Sequence, residues 1–278
     1  MPTVSPAQTL AQLRVVVTRP AHQAAHLCDL IEQAGGIATR HPAIEIAAPS
    51  NIQAAQEKLG RLKNFSIAIF TSVNAVEWLF QLAPQPFHWP ANVQVAAIGK
   101  RTASALKSHA INVNIIPADG FNSESLLQTA VMSSISNRQV AIFKGEGGRA
   151  LLAPALTQLG ASIEEIDLYQ RKRPNDGLRN IQQAGKSGNI DLIIVTSNEG
   201  LQNLFEMATE KEREWLRSTP LAVISERSAE LARNLGFGHE PIVASEASDE
   251  GLLASIEQWY ADRFRRGIQR GSNHDAGE

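Results

Sequence analysis

The chain has 278 residues, 43% hydrophobic and 19% charged, with a formal net charge of −2; that is enough apolar material to fill real cores, and it excludes a disordered chain. The near-neutral balance excludes a global positive field for nucleic acid or an anionic membrane, and no apolar run approaches the roughly 20 residues of a membrane-spanning helix. A single cysteine, Cys28, excludes a disulfide framework and a thiolate metal site.

The opening stretch MPTVSPAQTLAQL carries no basic region followed by an apolar core, so a cytoplasmic protein is expected. In chain order, β-branched runs and segments of helical period predict a strand near residues 14–18, a helix near 23–34, a strand near 67–71, a helix near 75–81, a strand near 93–98, a helix near 102–109, a strand near 113–116 and a helix near 123–132. This alternation is that of a parallel sheet with helices on both faces, an α/β layer fold of the flavodoxin-like or Rossmann-like kind. Two stretches differ: ATRHPAIEIAAP (residues 38–49) and SIEEIDLYQRKRP (162–174) carry charges and close on a proline, as extended connectors do. From Arg265 onward there is no apolar period, and residues 265–278 are expected to form a disordered tail.

The chain also repeats itself. FTSVNAVEWLF (residues 70–80) returns as VTSNEGLQNLF (195–205), VQVAAIGKRTASAL as PLAVISERSAELAR, and NSESLL as SDEGLL, at offsets of 125 or 126 residues. VVVTRPAHQAAHLCDLIEQAGG pairs likewise with VAIFKGEGGRALLAPALTQLGA, setting Arg19 against Lys144 and Gly35 against Gly160. These echoes read as an internal duplication of a domain-sized unit. The strand near Val15 and its counterpart near Val140 are interchangeable in pattern, so sequence leaves open which sheet each completes.

A parallel sheet gathers the N-termini of its following helices at one edge, where unpaired N–H groups and helix dipoles favour anions without net positive charge. Six loops fall there: Thr18-Arg19-Pro20, Thr71-Ser72-Val73-Asn74, Gly99-Lys100-Arg101-Thr102, Lys144 to Arg149, Thr196-Ser197-Asn198 and Ser225-Glu226-Arg227-Ser228. Each hydroxyl alone reads as an ordinary helix cap. The same Thr-Ser doublet in both copies points further, because a cap needs one hydroxyl whereas two hydroxyls with backbone amides can hold a carboxylate or phosphate. FKGEGGRALL (residues 143–152) is Gly-rich but matches neither nucleotide-binding glycine signature, and His22 and His26 share a helix face without the H-E-x-x-H pattern.

VVVTRPAHQAAHL, FTSVNAVEWL, AAIGKRTASAL, KGEGGRALLAPALTQLGASIEEIDLYQR and VTSNEGLQNL, in order and across most of residues 15–253, resemble the uroporphyrinogen-III synthase family. The resemblance implies two flavodoxin-like α/β domains: residues 1–37 with 175–264 as a discontinuous domain, residues 50–161 as the other, and 38–49 with 162–174 as a two-stranded linker, the substrate lying between the domains. It implies dehydrative closure of hydroxymethylbilane, a linear tetrapyrrole with eight carboxylates, with inversion of its last ring, using no metal or cofactor; nothing in the sequence points to an obligate oligomer, so a monomer is expected. Tyr169 in DLYQR matches the family tyrosine that assists departure of the hydroxyl; a phenol protonated at neutral pH can donate to it. By motif position, Thr18, Arg19, Thr71, Ser72, Asn74, Lys100, Thr102, Lys144, Gly145, Arg149, Thr196, Ser197 and Ser228 are the implied substrate-binding residues, many through backbone N–H groups. One departure is Glu226, an acid that would repel an anionic substrate, with Arg227 beside it to offset the charge. The competing readings are a two-lobed module that binds a small anion without chemistry and, with less support, a nucleotide-dependent transferase.

Overall fold

The computed structural model describes residues 8–120, 122–148 and 151–272, with side chains as far as Arg263. Its strands are β1 (Arg14–Val17), β2 (Ile37–Arg40), β3 (Glu45–Ala47), β4 (Ile67–Phe70), β5 (Gln94–Ala97), β6 (Gln139–Gly145), β7 (Ser162–Lys172), β8 (Leu192–Val195), β9 (Leu221–Val223) and β10 (Ile242–Val243). Its helices are α1 (Ala25–Gln33), α2 (Ile52–Gly60), α3 (Val73–Leu82), α4 (Lys100–Ser108), α5 (Ser123–Leu127), α6 (Leu152–Gln158), α7 (Arg179–Lys186), α8 (Asn198–Met207), α9 (Glu210–Ser218), α10 (Glu226–Asn234) and α11 (Asp249–Ser272). The chain falls into two compact units, one comprising Ile46–Lys172 and the other the residues on either side of it.

The unit formed by the two flanking segments is built on a sheet in the order β10-β9-β8-β1-β2. Its strands are parallel, and β1, open to either sheet by pattern, pairs with β8 through Val15–Leu192, Val16–Ile193 and Val17–Ile194. Both faces are covered, and the two-residue period of a strand sorts the side chains. Val15, Val17, Leu192 and Ile194 pack with Leu27 and Ile31 of α1 and with Leu252 and Ile256 of α11. Val16, Ile193 and Val195 point the other way, onto Leu201, Leu204, Leu216 and Ala229.

The unit of Ile46–Lys172 carries a sheet in the order β3-β7-β6-β4-β5. Ile67, Ile69, Val140 and Ile142 meet Leu126, Leu152 and Leu156 on one face, while Ala68, Phe70, Ala141 and Phe143 meet Val76, Leu79 and Leu106 on the other. All four residues of β4 are buried. Since burying one such aliphatic side chain is worth roughly 1.5–3 kcal/mol, these runs fix the strand and its register, because a one-residue slip would exchange the two cores. The sequence echo has a spatial counterpart: β9-β8-β1-β2 in one sheet run in the same order as β5-β4-β6-β7 in the other. Gly35 and Gly160, at φ +87° and +86°, turn the chain after α1 and α6, a left-handed conformation that a side chain would oppose.

Four expectations differ from the structure. Residues 113–116 make one bridge, Ala96 to Ile115, not a strand, because the Asn114 Oδ1 accepts the Val95 N–H (2.8 Å) that a ladder would use. The helix foreseen over 123–132 stops at Leu127, after which the Thr129 hydroxyl donates to the Leu126 carbonyl (2.8 Å). Of the stretch foreseen as a connector at 162–174, residues 162–172 are β7, a strand inside the second sheet with register to β6. Residues 265–272, expected to be disordered, continue α11 as helix, since nothing in RGIQRGS matches the proline that would end it; residues 273–278 lie outside those described.

Candidate functional site

Within the unit of Ile46–Lys172, the carboxyl ends of β4, β5, β6 and β7 enclose a cavity of about 230 Å³. Tyr169 forms part of its wall. The ring is 1% exposed, and its hydroxyl lies 3.1 Å from the Ser72 Oγ. Ser72 in turn caps α3, accepting the Ala75 N–H at 3.2 Å from an extended backbone (φ −163°, ψ 162°). Either hydroxyl can donate in this pair; where Ser72 donates to the Tyr169 oxygen, the phenol O–H is left to point at a ligand.

The ring is where it is because residue 145 is glycine. β6 and β7 pair evenly from Gln139–Ser162 to Lys144–Asp167 and then shift, so that Gly145 stands opposite Tyr169. A Cβ on Gly145 would lie 2.5 Å from the Tyr169 Cζ. Beyond the shift, the Glu146 N–H donates to the Tyr169 carbonyl (2.8 Å), and the Glu146 carboxylate accepts from the Ser50 hydroxyl (2.9 Å). The glycine-rich loop is thereby tied down next to the phenol.

Lys144 does not stand as a lone cation. Its Nζ is 3.1 Å from Glu165 and 3.7 Å from Asp167. The hydroxyl of Thr71 donates to the Phe143 carbonyl (3.0 Å), binding β4 to β6 instead of facing outward. Asn74 and Thr102 are buried in the first turns of α3 and α4, and Lys100 is exposed at the start of α4. The cavity therefore unites Thr71, Ser72, Lys144, Gly145 and Tyr169 of the residues expected from sequence, while Asn74, Lys100 and Thr102 lie outside its wall. Arg149 falls outside the described residues.

Sequence reasoning missed Asn122, Glu124, Glu165 and Arg171, which also line the cavity. One signal exists: NSESLL, quoted only for its echo, starts α5 with Asn122 capping through the Ser125 N–H (2.8 Å). β7 carries none, because Glu165 and Asp167 lie on the face that meets Lys144, whereas the register shift turns Tyr169 onto the other face with Ile166 and Leu168.

The other unit carries a second polar cluster at the carboxyl ends of β1 and β8. The Thr18 hydroxyl donates to the Ile194 carbonyl (2.8 Å), as Thr71 does to Phe143. Ser197 caps α8 by accepting the Gly200 N–H (3.0 Å), as Ser72 caps α3. Arg19 donates from Nε to the Thr196 Oγ1 (3.2 Å), and its Nη1 sits 2.5 Å from Asp249. Ser228, 2% exposed, donates to the Asn198 Oδ1 (2.7 Å), fixing α10 to the start of α8. Glu226 is turned to solvent and pairs with Arg233 (2.9 Å); its counter-charge is that arginine, seven residues on, not Arg227. His26 bonds Asp249 (2.9 Å), and no group of three or more metal-ligating side chains is found among the described residues.

Residues 25–254 match the family described as Uroporphyrinogen-III synthase HemD. The chain is 31% identical over 248 residues to the uroporphyrinogen-III synthase of Escherichia coli, covering 88% of this chain and all of the relative. It is 32% identical over 250 residues to that of Salmonella typhimurium, with the same coverage. In fold it resembles the uroporphyrinogen III synthase of Thermus thermophilus (TM-score 0.57, 17% identity, 93% of this chain and 99% of that one). The uroporphyrinogen-III synthetase of Helicobacter pylori aligns comparably (TM-score 0.56, 14% identity, 89% of this chain and 100% of that one).

Proposed function

Because this chain belongs to the uroporphyrinogen-III synthase family, we propose that it closes hydroxymethylbilane to uroporphyrinogen III in tetrapyrrole biosynthesis. The observation that carries the mechanism is the Tyr169 hydroxyl in the cavity wall, 3.1 Å from the capping Ser72.

The cavity, at about 230 Å³, is below the roughly 300–1,000 Å³ that encloses a drug-sized ligand. It receives one substituted pyrrole end of the tetrapyrrole. There the Tyr169 phenol donates to the terminal hydroxyl as its C–O bond breaks; the pyrrole N–H proton leaves with it, so that water and a neutral azafulvene result. The substituted carbon of the last ring attacks the exocyclic methylene to give a spiro intermediate, whose fragmentation and reclosure turn that ring over. In water the same chain closes readily to the unturned isomer, so the protein's work is to hold one conformer.

The carboxylate arms meet the loops at the starts of α3, α4 and α8, with Lys100, Lys144, Gly145, Arg149 and Ser197 among the groups that hold them, and Arg19 with Thr196; Ser72 and Ser228, whose hydroxyls engage Tyr169 and Asn198, keep these loops in place. Asn74 and Thr102 contribute through backbone N–H groups, whereas Thr18 and Thr71, whose N–H and hydroxyl groups both donate to the Ile194 and Phe143 carbonyls, act by fixing their loops. The reaction runs without metal or cofactor, in the cytoplasm, by a monomer that binds neither nucleic acid nor membrane; among the described residues, no helix is long and apolar enough to cross one.

The test is product isomer analysis. Hydroxymethylbilane generated in situ is supplied to metal-stripped protein, the product is oxidised, and types I and III are separated. Type III is expected, with its yield falling about 10²-fold in Tyr169→Phe if the phenol donates in the transition state. Type I alone, from folded protein, would refute the assignment.

A further inference from the structure

Around Arg19, four elements converge on one guanidinium. It follows β1; Thr196, which accepts its Nε proton at 3.2 Å, follows β8; Asp249, 2.5 Å from its Nη1, opens α11; and His26, on α1, holds the other oxygen of Asp249 at 2.9 Å. The arginine and aspartate side chains are only 12% and 15% exposed. We propose that Asp249 is a positioning residue for the reaction: it holds the Arg19 fork so that Nη2 faces a substrate carboxylate at the edge of the sheet.

The geometry favours this over a plain surface ion pair. An arginine free to swing binds a carboxylate at the cost of its rotamer entropy, whereas one fixed at Nε and at Nη1 has already lost that freedom. The recorded partners among the described residues engage Nε and Nη1 alone. Asp249 is itself oriented. Burial opposes its ionisation, yet the hydrogen bonds and charges of His26 and Arg19 outweigh that and keep its carboxyl below the ordinary range. His26 is raised by its hydrogen bond to Asp249, with Asp249, Glu250 and Asp29 adding attraction. The local balance also has a sign. Arg19 and protonated His26 against Asp249 leave one positive charge; with His26 neutral they leave none, so binding through Arg19 weakens as pH rises through the raised His26 value.

This inference rests on the synthase reading, and the experiment separates the two. Type III formation is followed in wild type, Arg19→Gln, Asp249→Ala, Asp249→Glu and His26→Gln, with KM and kcat measured from pH 6 to 9 and His26 titrated by NMR. Asp249→Ala is expected to raise KM about tenfold, the scale of one charge-assisted hydrogen bond, with kcat within about twofold. Asp249→Glu is expected to recover part of that loss, and the rise of KM with pH is expected to disappear in His26→Gln. An Arg19→Gln variant with altered KM beside an Asp249→Ala variant with wild-type KM would overturn the positioning role while leaving the synthase intact. A lower KM in Asp249→Ala would overturn it too, showing that the acid competes with substrate. If Asp249→Ala fails to fold, wild-type KM at every pH in His26→Gln and Asp249→Glu overturns the proposal. A wild-type protein that forms no type III would instead end the synthase reading itself.

Discussion

Replacing Gly145 with alanine adds one methyl group at the point where β6 passes the Tyr169 ring. That Cβ would lie 2.5, 2.7 and 3.0 Å from Cζ, Cε2 and Cε1. Ordinary carbon contacts begin at about 3.5 Å, so the ring must recede by about 1 Å. The Ser72–Tyr169 hydrogen bond, 3.1 Å long, would then exceed the length at which it counts as one. Overpacking of this kind costs about 1–3 kcal/mol, and in a chain of this size each kcal/mol lowers Tm by roughly 2–4 °C. The rate is more sensitive: a misplacement of about 1 Å at the reacting centre can cost on the order of 10² in kcat. The assay is the initial rate of type III formation beside a thermal melt. Gly60→Ala, at the end of α2 and away from the cavity, is the control, since its Cβ would meet nothing within 4 Å. A folded Gly145→Ala protein with unchanged kcat would refute the claim that the ring's position governs the chemistry.

Ser72→Ala removes both a cap and the phenol's partner; stability should fall by about 1 kcal/mol and kcat by more than in Ser197→Ala, whose serine caps without a recorded phenol. Equal losses of kcat in the two would argue against a Ser72–Tyr169 relay. Asp191 accepts from the Arg14 side chain (2.8 Å), which together with the Arg14 backbone N–H outweighs burial and depresses its pKa. Its stabilisation is complete above the ordinary carboxylate value, near pH 3.9, and lost as pH falls through the depressed one. The Tm gap between wild type and Asp191→Asn should therefore be constant at neutral pH and close in acid; a gap that persists at pH 2 would refute the ion-pair account. His41 is 3% exposed with neither ring nitrogen hydrogen-bonded among the described residues, and burial, opposed by Asp176, lowers its pKa. Stability from keeping it neutral is present above about pH 6.5 and declines below, as the unfolded chain takes up the proton first. His41→Leu should flatten that limb in pH-dependent denaturation, and an unaltered limb would show that another group is responsible.

The strands with continuous apolar runs were legible because burial on both faces leaves a mark that no polar context can hide, as in IAIF and LIIV. The Thr-Ser doublets were legible as caps for a local reason: Ser72 and Ser197 accept from the third residue onward in the same loop. What those loops do with their remaining groups was not. That Thr71 and Thr18 spend their hydroxyls on neighbouring strands depends on strand order, and strand order is a property of distant segments. The charge partners of Lys144 are not legible in the sequence, because Glu165 and Asp167 lie some twenty residues further along and meet it only through the parallel pairing of β6 with β7. Arg171 is not legible as a lining residue because it lies beyond the register shift at Tyr169, and a shift set by the pairing of β7 with β6 decides which side chains reach the cavity. The isolated bridge at Ile115 shows the converse: a β-branched run whose ladder is replaced by one asparagine side chain.

The pairing of β1 with β8 also sets an order of events during synthesis. Arg14 bonds Asp191, 177 residues downstream, and at about 5–20 residues per second the ribosome needs roughly 10–35 s to deliver that partner. Ile46–Lys172 emerges as an unbroken segment with all five strands of its sheet and can condense on its own contacts at once. β1, α1 and β2 cannot. For those seconds Val15, Val16 and Val17 have only β2 and α1 beside them, and the edge that β8 will occupy and the faces that α8 and α11 will cover stay open.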